Sequence, residues 1–254
     1  GGAFNSVLLS VHAVAILPEE MSKERFQWLE KMGAEIYATT GCESNVKEIY
    51  DKCHELEAQS DEYYVFNQFD QFGNSIWHYT VTGSMIEELY NQIKTDNQRL
   101  SGYVSATGSA GTIAAGDYIL SKFKDSKVLV SEALQCPTII NNGFGAHRIE
   151  GIGDKHIPWI HNTKNMDSAC AIDDNHPLAV ARLFNEEKGQ EYLKSLGVKS
   201  SEIEQLHLLG ISGISNMLSA IKMAKYYEYN ENDIIFTVFT DSMDMYQSRL
   251  LELN

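Results

Sequence analysis

The chain holds 254 residues, 43% of them hydrophobic and 22% charged, a globular composition with enough material for one large or two smaller cores. Its formal net charge of −15 sets up a negative field that argues against nucleic acid and anionic membranes as partners. No stretch of roughly 18 apolar residues is present to cross a bilayer, no basic region precedes Val7-Leu8-Leu9 to make a signal peptide, and Cys42, Cys53, Cys136 and Cys170 show no C-x-x-C spacing, which reads as reduced thiols of a cytoplasmic protein.

The chain opens on Gly1-Gly2-Ala3-Phe4 without an initiator Met, which suggests a processed, trimmed or incomplete start. Residues 4–12 are apolar enough for a helix, and His12–Leu17 reads as a buried strand ended by Pro18. Ser22–Met32 is amphipathic, with Ser22 as N-cap and Gly33 at the position after the last turn. Ala34–Thr39 is a strand, Ser44–Ala58 a helix, Tyr63–Phe66 a strand and Ser84–Asp96 a helix. A strand over 101–106 leads through a small-residue loop to a helix, and the strand Lys127–Ser131 follows. Residues 133–178 carry Gly143, Gly145, Gly151, Gly153 and three of the four prolines with little periodicity, the mark of a functional irregular segment. Helices at Leu178–Leu196 and Gly213–Tyr227, the strand Ile234–Phe239 and a short closing helix complete the chain. Strands alternating with helices imply an α/β fold with a mostly parallel sheet.

The loop Thr107-Gly108-Ser109-Ala110-Gly111-Thr112 carries the first chemical signal. Where a strand ends and a helix begins, the unpaired N–H groups of the first helical turn point outward and the helix dipole favours an anion. Gly108 and Gly111 allow close backbone approach, while Ser109 and Thr112 can add hydroxyl donors. A tight strand-to-helix turn built only for packing has the same composition. No lysine follows the last glycine as in a Walker A loop, and the spacing is not G-x-G-x-x-G. Glu132 nonetheless stands where a dinucleotide fold places its ribose acid, which keeps a nucleotide-binding Rossmann protein open.

Five further segments admit ordinary readings: Ser22, Ser212 and Ser242 as helix caps, Gln68 as a solvated residue past a strand end, and His147 as a satisfied interior histidine. Asp154, His156 and His161 match no usual metal-ligand spacing. No G-x-S-x-G elbow is present to support a serine hydrolase.

Taken in order, six segments resemble the fold-type II pyridoxal-phosphate enzymes, in the cysteine synthase and cystathionine β-synthase branch. LPEEMSKERFQWLEKMGAEI is similar to that family's P-E-x-M-S-x-E-R … L-x-x-x-G-A helix. NQF followed by GNSIWHYTVTGSMIEE resembles Q-Q-F … N … H-x-x-T-G-x-E-I, and GSAGT at 108–112 stands where the family has G-T-G-G-T. HRIEGIGDKHIP at 147–158 follows H-K-I-Q-G-I-G-x-G-x-x-P, GISGISN resembles G-I-S-S-G-A, and FTDSMDMY stands at P-D-S-G-E-R-Y. The resemblance runs through nearly the whole chain in register.

It implies a tryptophan synthase β-like fold of two three-layer α/β domains, N-terminally truncated, with residues 1–80 as part of a smaller mobile substrate domain and 81–254 as the cofactor domain. It implies pyridoxal 5'-phosphate as cofactor and a lyase or β-replacement reaction on a small amino acid, in a cytoplasmic homodimer. Gly108, Ser109, Ala110, Gly111 and Thr112 would cradle the phosphate, Ser242 would hydrogen-bond the pyridine nitrogen, Gln68 would touch the substrate carboxylate, and Gly151 and Gly153 would admit the cofactor face. The family's Schiff-base lysine lies upstream of its S-G-N-T-G loop. Gly1-Gly2 resembles the end of that loop, so no lysine of this sequence takes that place, and an upstream segment or a second polypeptide would supply it. A noncatalytic, cofactor-binding regulatory subunit is the other expectation. Ser109 and Ala110 stand for Thr and Gly of the phosphate loop, and Met243 and Met245 for Gly and Arg of the closing motif.

Overall fold

Val14–Pro18 (β1) and Glu35–Thr39 (β2) are short apolar runs, and they pair in parallel with Ile16 opposite Tyr37. A computed structural model describes residues 2–42 and 44–252. Helix α1 (Gly2–Leu9) precedes this pair, α2 (Lys23–Lys31) crosses over between its strands, and α3 (Val46–Gln59) packs against β1. A long helical stretch follows as α4 (Phe72–Trp77), a π-turn at His78–Thr82 and α5 (Gly83–Ile93). The second sheet holds β3 (Arg99–Ala106), β4 (Lys127–Ala133), β5 (Ser168–Ile172) and β6 (Asp233–Thr237), all parallel in the order β5-β4-β3-β6. Helix α6 (Ala114–Lys122) joins β3 to β4, and α7 (Thr138–Asn141) follows β4. Helices α8 (Asn175–Asn185), α9 (Glu187–Ser195), α10 (Ser200–Ile203) and α11 (Ile211–Tyr226) lead to β6, and α12 (Gln247–Leu251) closes the described chain.

The larger sheet is the middle of three layers. Successive residues of a strand face opposite sides. Tyr103, Val128 and Val130 accordingly pack into one buried cluster with Ile86 and Tyr90 of α5 and Ile119 of α6. Val104 and Leu129 pack with Met223 of α11 on the other side. Gly102 allows that helix its approach: a Cβ there would lie 2.7 Å from the Met223 side chain. All four strands end at one edge, at Ala106, Ala133, Ile172 and Thr237, and ligands of open α/β sheets bind outside that edge.

Several expectations are corrected. Tyr63–Phe66 is no strand, and Tyr64 and Phe66 pack edge-to-face with each other in solvent instead. The irregular stretch 133–178 contains α7 and β5. The single helix expected over 178–196 breaks at Glu186, whose backbone is extended, into α8 and α9. The helix expected from Ser84 begins at Phe72 and runs through the π-turn to Ile93. Ser22 occupies the N-cap position of α2 without capping it; its N–H donates to Glu150 at 3.2 Å.

Candidate functional site

β3 stops at Ala106 and α6 starts at Ala114, and the loop between them is held from beneath. Tyr103 Oη donates to the Thr112 carbonyl at 2.7 Å, Ser105 and Thr112 share a hydroxyl hydrogen bond of 2.8 Å, and Gly153 N–H donates to the Thr107 carbonyl at 2.8 Å. Among the described residues, the N–H groups of Gly108, Ser109, Ala110, Gly111, Thr112 and Ile113 find no protein acceptor. Buried backbone donors are ordinarily paired, so a run of open ones at a helix N-terminus is a cradle for an anion. Ala110 adopts φ +60°, the left-handed region that favours glycine, and is buried there. Gly111 is not in that region; its lack of a side chain makes room for Asn74.

Asn74 is a site residue that reading the sequence missed. Its Nδ2 donates to Ser109 Oγ at 3.2 Å and to the Gln68 carbonyl at 2.9 Å, which ties the 68–74 segment to the loop. The motif match over GNSIWHYTVTG includes this asparagine, but the sequence alone does not show that it bridges Ser109 and Gln68. Gln68 is brought beside the loop through this bond.

The opposite wall is the segment 147–161. Gly151 and Gly153 adopt φ +91° and +89°, and a Cβ on Gly153 would collide with His147. Gly108 lies against this wall, where a Cβ would meet Ile152 Cα at 3.5 Å. A Cβ on Gly151 would in turn meet Ser212 Oγ at 3.8 Å, and Ser212 is 3.2 Å from Thr240 Oγ1. The loops 108–112, 151–153 and 240–242 are therefore successive neighbours along the strand ends. Ser242 opens the turn Met243–Met245 and its Oγ accepts from Asp244 N–H at 3.4 Å, so it fills the cap role as well as standing at the edge.

A narrow cleft lies between loop and wall, lined by Thr107, Gly108, Glu132, Thr138, Asp154 and His161 among others. Glu132 accepts from the N–H groups of Ile139 and Ile140 at 2.9 Å each, capping the turn after β4. That structural duty replaces the ribose contact a dinucleotide fold would need. Burial raises its carboxyl, against those two N–H groups. Burial likewise raises the Asp154 carboxyl, against the nearby His156. Burial lowers His161, and lowers His147 to about 4 despite its contact with the Ile149 backbone. Among the described residues no group of three His, Cys, Asp or Glu side chains is placed to hold a metal.

A second unit the sequence did not disclose anchors this wall. Buried Glu150 pairs with Arg249 at 2.6 Å and with Arg25 of α2 at 3.5 Å. Arg25 also donates to Tyr246 Oη at 3.0 Å, and Tyr246 donates to Asp241, beside Ser242. Ser248 donates to Glu24 through its N–H at 2.8 Å and its hydroxyl at 2.7 Å. Burial, then the Asp241 charge, holds the Tyr246 hydroxyl far above the ordinary tyrosine range.

Residues 3–192 match the family described as pyridoxal-phosphate dependent enzyme, and the chain belongs to that family. Within it, the similarity is to the fold-type II enzymes of the cysteine synthase and cystathionine β-synthase group. A probable cysteine synthase of Bacillus subtilis (strain 168) is 30% identical over 190 residues, 74% of this chain and 60% of that protein. The chain thus spans well under two thirds of that relative's length. A cysteine synthase of Staphylococcus aureus (strain N315) is 26% identical over 249 residues, 98% of this chain and 72% of its own. Among solved structures, a hydrogen sulfide-producing enzyme from Fusobacterium nucleatum superposes with TM-score 0.77 at 25% identity, covering 98% of this chain and 69% of that one. The O-acetylserine dependent cystathionine β-synthase of Helicobacter pylori shares the fold, with TM-score 0.78 at 21% identity, over 97% of this chain and 70% of that one. No helix among the described residues is long and apolar enough to cross a membrane.

Proposed function

We propose that the chain forms the cofactor-binding part of a pyridoxal-phosphate lyase or β-replacement enzyme acting on a small amino acid, with a cysteine synthase-like reaction. The observation that carries this is the row of open N–H donors from Gly108 to Ile113 at the N-terminus of α6. Open backbone donors at a helix N-terminus suit an anion such as phosphate, in a chain whose net charge of −15 would otherwise repel one. Pyridoxal phosphate, when bound, supplies an electron sink for breaking bonds at the α and β carbons of an amino acid.

In this reading Gly108, Ser109, Ala110, Gly111 and Thr112 hold the phosphate, with Asn74 fixing Ser109. Gly151 and Gly153 admit the ring face because no side chain projects from them. Ser242 presents a hydroxyl to the ring nitrogen, and a hydroxyl cannot hold a full proton there as a carboxylate would. Gln68 orients the substrate carboxylate from beside the loop. No lysine of the cleft is assigned to a covalent bond with the cofactor; the Nζ of Lys155 lies over the Phe144 ring, 5.0 Å from its centre. Residues 1–80 form the smaller substrate domain and 81–254 the cofactor domain, in a cytoplasmic homodimer. The apolar surface of Ile76, Trp77, Met85 and Leu89 along the 72–93 helix supports self-association. Free thiols at all four cysteines agree with the cytoplasmic placing.

The test is competition. Pyridoxal phosphate should displace inorganic phosphate from the loop, and NAD and ATP should not. Tighter binding of either nucleotide would favour a dinucleotide-type site and end this reading.

A further inference from the structure

Asp241 and Ser242 stand side by side where the chain leaves β6. Either side chain is of a type that can meet a ring nitrogen, but a carboxylate would hold a full proton there and a hydroxyl would not. The backbone at Ser242 is extended, with φ −122° and ψ 167°, and extended backbone sends neighbouring side chains to opposite sides. Whatever fixes Asp241 on one side therefore commits Ser242 to the other.

Asp241 is fixed at several points. The segment leading to it is tied to α11. Asn216 Nδ2 donates to the Val238 carbonyl at 3.1 Å, the Ser212 and Thr240 hydroxyls lie 3.2 Å apart, and Gly210 N–H donates to the Asp241 carbonyl at 3.0 Å. The carboxylate turns inward. Its Oδ1 lies so close to Gly210 that a Cβ there would collide with it, and its Oδ2 accepts from Tyr246 Oη. Tyr246 is fully buried in one cluster with Ile149, Ile152 and Leu250, so its ring is held in place. Its hydroxyl is oriented in turn: Arg25 donates to it at 3.0 Å, which leaves the tyrosine hydrogen for Asp241. Burial raises the Asp241 carboxyl, against the Tyr246 hydroxyl and the Arg25 charge, so without its donor this carboxylate would be poorly satisfied where it lies.

We infer that Tyr246 is a positioning residue for the ring nitrogen of the cofactor: by holding Asp241 inward it turns Ser242 outward, so that a hydroxyl and not a carboxylate meets the ring. This rests on the proposed function, in which Ser242 faces that nitrogen.

The experiment is nitrogen-15 nuclear magnetic resonance of ring-labelled pyridoxal phosphate bound to the 254-residue chain. In the wild type the ring nitrogen should give the signal of a hydrogen-bonded, unprotonated pyridine. Tyr246→Phe keeps the buried ring and removes only the hydroxyl; the signal should move upfield, towards pyridinium, as the released carboxylate reaches the ring. Gly210→Ala evicts the carboxylate by filling its place and should move the signal the same way, which keeps the test open if Tyr246→Phe does not fold. Adding Asp241→Asn to either variant should abolish the upfield move. A ring signal that stays at the wild-type position in the single variants, a downfield move in them, or an upfield move that survives Asp241→Asn would overturn the inference. A merely structural tyrosine would lower stability without protonating the ring. Ser242→Ala tests the reading beneath: it should move the wild-type signal downfield, and no change there would refute the placing of Ser242 rather than the role of Tyr246.

Discussion

The loop 107–113 and the segment 147–161 face each other across one cleft, and they are built on opposite principles. The loop presents backbone donors at a helix end and needs almost no side chains, so small residues suffice. The facing segment presents side chains, the Asp154–His156 pair and His161, on a backbone turned by two glycines of positive φ and anchored by Glu150. The first wall is backbone chemistry and the second is side-chain chemistry.

The sharpest way to break this arrangement is to release the anchor. Glu150→Ala leaves Arg25 and Arg249 without their shared buried carboxylate, and losing one partner of a buried pair costs roughly 3–5 kcal/mol. The expected loss is about 3 kcal/mol in urea unfolding, because both arginines keep some solvent. A loss below about 1 kcal/mol would show that the segment is held by other means.

The loop is broken next. Ala110→Val places a β-branched side chain in the left-handed region, where L-residues are disfavoured by roughly 1–2 kcal/mol and branching adds to it. Stability should fall by about 2 kcal/mol, and pyridoxal phosphate should bind at least ten-fold more weakly by spectroscopic titration. Unchanged affinity in a folded variant would make the loop merely structural.

The pH dependence distinguishes the walls. Burial holds His147 neutral with its pKa lowered to about 4. An unfolded chain protonates a histidine near pH 6.5, so from about 6.5 down to about 4 the unfolded state binds a proton that the folded state refuses. The contribution is fully present above pH 6.5 and lost as pH falls through that window. His147→Gln should flatten this part of the stability curve. An unaltered slope between pH 6.5 and 4 would assign the effect elsewhere. The smallest effect belongs to Ala110→Gly, which relieves the same strain that valine worsens. A gain of up to about 1 kcal/mol is expected, with phosphate affinity kept, and a net loss of stability would show that the buried methyl outweighs the backbone relief.

The donor wall was legible in the sequence because its chemistry is backbone chemistry: Gly108, Gly111 and the apolar runs on either side state strand, loop and helix directly. Gly151 and Gly153 were legible for the same reason, and both do adopt the conformation that glycine permits. The side-chain wall was not. Asp154 and His161 are seven positions apart in an irregular segment, and only the fold brings both to the cleft. Asn74 stood inside a matched motif, but its bridge between Ser109 and the Gln68 carbonyl is a contact that only the fold makes. The strand Ser168–Ile172 escaped because SACAI is short and its central residues are small, while Tyr63–Phe66 has strand-like side chains and no partner to pair with. The resemblance of six segments to one family carried the alignment of the chain, but the Glu150–Arg25–Arg249 anchor needed coordinates, since its members lie more than a hundred positions apart at the extremes.

The most direct measurement is an amide nitrogen–proton titration of the chain with pyridoxal phosphate. The account predicts large downfield shifts at Ser109, Ala110, Gly111, Thr112 and Ile113, reproduced in direction by inorganic phosphate. Binding accompanied by shifts elsewhere and none across these amides would contradict it.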